Sequence, residues 1–92
     1  MTVGIKRLLI EAVKPRETST IELTQSLCSL EGVDECEIIT TDVDVRTETF
    51  RLTVKGSNID YDELKKTMDK SGLAVKGIDE IHVVKTRKIQ PT

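Results

Sequence analysis

Six polar side chains fall in two short stretches: Glu31, Asp34 and Glu35 in one, Asn58, Asp60 and Asp62 in the other. Carboxylates with an amide oxygen suit a hard cation. Asp34, Glu35, Asp60 and Asp62 are therefore the candidate ligands for Ca²⁺ or Mg²⁺, provided the fold brings the two stretches together. The same residue types also serve structural ends. Asp60 and Asp62 stand where a helix should begin, and acids there cap free N–H groups and face the positive end of the helix dipole. The others are ordinary solvated turn residues on that reading. Asp42 and Asp44 make a second, smaller acidic pair.

Other chemistries find less material. Cys28 and Cys36 are the two cysteines, and without a close Cys-x-x-Cys spacing they read as small buried apolar residues. A heavy-metal carrier would place Cys-x-x-Cys after its first strand, where Lys14 to Thr18 has no cysteine. The lone histidine, His82, would need Cys28 or Cys36 beside it to form a nucleophilic couple. Pro15-Arg16 could serve the anion loop of an acylphosphatase-like hydrolase, but the glycines of a backbone nest are missing. A non-enzymatic role is the expectation.

Partners are bounded by charge and aromatic content. The formal net charge is −2, so no global positive field draws nucleic acid or an anionic membrane. Phe50 and Tyr61 are the whole aromatic complement, too little for a base-stacking surface. No apolar run approaches the roughly 20 residues of a membrane span, and Leu8-Leu9-Ile10 is cut short by Glu11. A cytoplasmic protein is expected.

These residues would be positioned by six elements. Ile5 to Val13 reads as a first strand with apolar residues on both faces, ended by Lys14-Pro15-Arg16. Thr18 to Leu30 reads as a helix with a Ser19/Glu22 capping box, a Leu23, Leu27, Leu30 stripe flanked by Ile21 and Cys28, and Gly32 as its terminal glycine. Glu35 to Asp44 and Thr49 to Lys55 form a hairpin. The second of these strands alternates cleanly, with Phe50, Leu52 and Val54 inward. The first does not: Cys36 and Ile38 share one parity, Ile39, Thr41 and Val43 the other. Either a bulge near Thr40–Thr41 switches the faces, or the second face carries its own apolar patch. Asp60 to Ser71 reads as a second helix, capped by Asp60 with Glu63, stapled by Ile59 to Leu64, and ended by Gly72. Ala74 to Val84 is a last strand of poor alternation, bent at Gly77.

Strand, helix, strand, strand, helix, strand in one short chain makes an α+β, ferredoxin-like βαββαβ sandwich. Its antiparallel sheet would run in the order four-one-three-two, with both helices on one face. Residues 1–85 make the domain and 86–92 a flexible basic tail. The other sheet face, showing Leu9 and Ile39, would be left bare. The expectation is therefore a small homo-oligomer, structural or ligand-sensing, assembling through that face or along its strand edges.

Four stretches carry a resemblance: Gly4 to Pro15, Leu30 to Val33, Thr47 to Gly56, and Gly77 to Ile81. Together they resemble a small archaeal family of uncharacterised proteins, the domain of unknown function numbered two hundred and eleven, and the likeness spans nearly the whole chain. It implies a ferredoxin-like fold, an archaeal cytoplasmic protein and a homo-oligomer. It implies no activity and carries over no site residues.

Overall fold

The computed structural model describes residues 2–86. Six elements follow in the expected order: β1 (Thr2–Pro15), α1 (Thr20–Cys28), β2 (Val33–Val43), β3 (Thr47–Gly56), α2 (Tyr61–Lys70) and β4 (Ala74–Thr86). Thr86 closes β4 opposite Thr2, and the remainder of the expected basic tail lies outside the described residues. The four strands form one antiparallel sheet, β2-β3-β1-β4, which is the ferredoxin-like order read from its other edge.

The core sits between the sheet and the two helices. Leu8, Ile10 and Ala12 of β1 and Phe50, Leu52 and Val54 of β3 are fully buried against Leu27, Leu64 and Met68. Paired residues on antiparallel neighbours share a face, and the register sets Leu8 opposite Val54, Ile10 opposite Leu52 and Ala12 opposite Phe50. Ile21, expected beside the α1 stripe, instead points to solvent.

Both helices begin as their sequences indicate. Ser19 Oγ accepts from the Glu22 N–H at 3.2 Å, and Asp60 Oδ1 accepts from the N–H groups of Asp62 and Glu63 at 3.0 and 3.2 Å. Glu63 turns its carboxylate to Lys66 rather than back to the cap. At the end of α2, Gly72 N–H donates to Asp69 O and Leu73 N–H to Met68 O, and the buried Leu73 closes this Schellman motif. The first helix stops earlier than its apolar stripe suggests, at Cys28 with Ser29 as its cap. Gly32 serves the turn into β2 instead.

Lys14-Pro15-Arg16 does not end the first strand at Val13. Pairing continues through Lys14 opposite Glu48 to Pro15 opposite Thr47. The reason is an ion pair: Lys14 lies on the helix-covered face, only 2% exposed, with its Nζ 3.1 Å from Glu48. The Lys14 ammonium also donates to Thr18 O at 2.9 Å. The proline can terminate the ladder because it occupies the strand's last position.

The uneven strands β2 and β4 are explained by bulges. In β2, Thr40 faces Phe50 but Asp42 faces Thr49, so Thr41 is the extra residue and the parity switches there. In β4 the register slips at Lys76 and again at Asp79, while β1 supplies a third slip at Lys6. The consequence is systematic. Val75 pairs with Ala12, Ile78 with Ile10 and Ile81 with Leu8, all on the helix-covered face. Past the slip at Lys6, Val83 and Ile5 join that same face. Residues spaced three, three and two apart thus form one apolar row, which a regular strand would have scattered over both faces.

Candidate functional site

The two acidic stretches meet only in part. An open cleft of about 570 Å³ is lined by Leu30, Glu31, Gly32, Ser57, Asn58, Asp60 and Glu63. It joins the turn after α1 to the turn after β3 through a hydrogen bond from Ser57 N–H to Gly32 O. Asp34 and Glu35 line a different depression, with Lys6, Arg7, Lys55, Gly56 and His82. Glu35 is there paired with Lys55 at 3.4 Å. Asp62 lines neither hollow, and one Asp60 oxygen is committed to capping α2. Among the described residues, no group of three or more histidine, cysteine or carboxylate side chains converges well enough to hold a metal ion.

His82 lies beside neither Cys28 nor Cys36, so no nucleophilic couple forms with either. Cys36 pairs with Val54 on the helix-covered face of edge strand β2, whereas His82 pairs with Arg7 on the open face near the opposite edge, β4. The two cysteines, in contrast, come together. Cys28 ends α1, Cys36 lies in β2, and the two side chains are near enough for Cys28 to act on the Cys36 thiol. Both are free and partly exposed. The Cys28 thiol also donates to Asp34 O at 3.8 Å. Burial, the adjacent Cys28 and the Glu35 carboxylate push the Cys36 thiol up to about 12, so at neutral pH it keeps its proton. Sequence spacing hides this pairing, because a helix end and a turn separate the two positions.

Arg16, the candidate anion-binding arginine, is turned toward Glu48, with Nε 3.9 Å from the carboxylate. Its backbone N–H is taken by Arg46 O. An anion loop would need both groups directed at a ligand.

The open face of the sheet is largely charged. Arg7 pairs with Glu80 at 3.0 Å and Lys55 with Glu35, while Glu11 and Arg51 stand opposite one another farther along β1 and β3. Leu9 is partly buried and Ile39 is 55% exposed, as isolated apolar residues among these charges. Exposed apolar side chains gather elsewhere. The helices do not reach the outer part of β4, so Ile78, Ile81 and Val83 remain 45%, 56% and 42% exposed along its helix-covered side. Val3 continues the row at the end of β1. The signal was present as an apolar residue at every third position from Val75 to Ile81, a period that belongs to neither a helix nor a regular strand.

No helix among the described residues is long and apolar enough to cross a membrane. Compared with known proteins, residues 6–90 match the family DUF211, described as uncharacterized ArCR. The chain belongs to the DUF211 family. A relative within reach is an uncharacterized protein of Methanocaldococcus jannaschii, an archaeon, 31% identical over 78 residues that cover 85% of this chain and 80% of that protein. In this DUF211 protein, the stretches that carry the family likeness map onto most of β1, the turn before β2, the whole of β3 and the middle of β4.

Proposed function

We propose that this protein is a small oligomeric α+β module, structural or ligand-sensing rather than catalytic, whose subunits join along β4. The observation that carries the reading is the row Ile78, Ile81 and Val83 on a strand whose outer edge has no partner. An edge strand presents unpaired N–H and C=O groups, and adding exposed branched side chains makes it a template for another chain. From Glu80 to Thr86 the strand itself has no extra residue, so this half offers a regular edge. A two-fold axis beside it would set the row of one subunit against the same row of its partner, the self-complementary arrangement of a closed dimer. The charged open face would stay in water. Cytoplasmic residence is part of the same proposal.

Light scattering from micromolar to millimolar concentration tests the assembly. Wild-type protein is expected to be at least dimeric, and Ile81→Lys to be monomeric with an unchanged circular dichroism spectrum, since Ile81 contributes little to the subunit's own core. A wild type that stays monomeric over that range would sink the reading. Native mass spectrometry of protein from its source organism would report subunit number and any retained small molecule together.

A second reading keeps a divalent cation. It is supported by the cleft, whose lining includes Glu31, Asp60 and Glu63 with the Asn58 amide. Calcium or magnesium should then give calorimetric heat that Asp60→Asn reduces at least several-fold. Asparagine caps a helix about as well as aspartate, so folding should be little changed. Heat that is absent, or unaltered in the variant, removes this reading.

A further inference from the structure

We propose that Cys28 and Cys36 form a reversible intramolecular disulfide that fastens the last turn of α1 to the edge strand β2. The Cys28 Sγ at the end of α1 stands 3.8 Å from Asp34 O, two residues before Cys36 on β2, and Cys28 is close enough to help hold the Cys36 proton. Both cysteines are partly exposed, so a small oxidant can reach them. Both also pack against the hydrophobic core from its rim.

The oxidant required is a low-molecular-weight disulfide. Cys28 loses its proton and attacks one sulfur of that molecule, expelling the other half as a thiolate and leaving a mixed disulfide on Cys28. Cys36 then loses its proton and attacks the Cys28 sulfur. The Cys28–Cys36 bond forms, the mixed bond breaks, and the second half leaves as a thiolate. Two protein thiols are oxidised, one external disulfide is reduced to two thiols, and both protons pass to solvent or to the leaving thiolates. Cys36 acts second because burial and its neighbour hold its proton until Cys28 has reacted.

Whole protein, reduced and freed of reductant, is treated with oxidised glutathione under anaerobic conditions and then cleaved after glutamate. Glu31 and Glu35 both lie between the cysteines, so cleavage separates them unless they are bonded. The expected product is a chain two hydrogen atoms lighter and not disulfide-linked to another, whose two cysteine peptides stay joined until dithiothreitol is added. Closing so short a loop should raise the melting temperature by roughly 10 °C over the reduced form. In Cys36→Ser the reaction should stop at a glutathione adduct on Cys28, with no such rise. Wild type that retains two free thiols, keeps the adduct, or forms only disulfides between chains would overturn the proposal. The wild-type peptide map decides this even if the serine variant does not fold.

Discussion

Gly56→Ala is expected to destabilise the protein by more than about 3 kcal/mol, a large part of the about 5–14 kcal/mol available to a domain of this size. Gly56 is the buried last residue of β3, opposite Val33. A Cβ there would land on the Gly32 carbonyl oxygen and press on Ile59 Cγ1. Retreat is blocked on the other side. A Cβ on Gly32 would itself meet the Asn58 carbonyl, and the Gly32 oxygen already accepts the Ser57 N–H at 3.2 Å. The clash is therefore between two backbones, with no flexible side chain to absorb it. Gly77→Ala is the control, because its Cβ would meet nothing within 4 Å. Chemical denaturation should show a large drop in midpoint for the first variant and a change within about 0.5 kcal/mol for the second, at unchanged slope. Equal behaviour of the two would show that the turns are not in contact. The same contact shapes the cleft, so Gly56→Ala should also disturb any ligand held by Glu31 and Asp60.

Glu48→Ala should cost about 3–5 kcal/mol, the usual penalty for stripping one partner from a buried ion pair. The Lys14 ammonium would keep only Thr18 O at 2.9 Å and Pro15 O at 3.4 Å, two neutral acceptors for a charge almost sealed from water. The double variant Lys14→Met with Glu48→Leu should lie close to wild type or above it, since apolar replacement of both partners avoids the desolvation cost. Thermal and denaturant melts of the single and double variants check this. If Glu48→Ala melts within about 1 kcal/mol of wild type, Lys14 is not the buried cation that extends β1.

Much of the fold was legible because it is written in local spacing. Alternation in Phe50, Leu52 and Val54 marks the inward face of β3, and Ser19 and Asp60 mark where the helices start. Strand order followed from two helical crossovers and one hairpin, which leave few arrangements for so short a chain. Lys14 was read as part of a terminator because its burial depends on Glu48, a partner on another strand. The four acidic candidates were read as one group because turn residues at one end of a sandwich look equivalent in sequence. The register then sends Glu35 to the open face and Asp60 to the helix side of the β3 turn.

Residue types and their periods alone determined the six elements, the antiparallel order and the buried halves of β1 and β3, while the likeness of four stretches pointed to the family. Tertiary structure alone decided where the irregular strands point. The break in parity at Thr40–Thr41 left a bulge and a second apolar patch equally open, and only the pairing with β3 decided for the bulge. Only the slips at Lys76 and Asp79, together with Lys6 on β1, turn Val75, Ile78, Ile81 and Val83 into one apolar row at the sheet's edge. The same holds for Cys28 and Cys36: their meeting is a property of how α1 packs on β2, since side-chain proximity across elements has no local period to announce it.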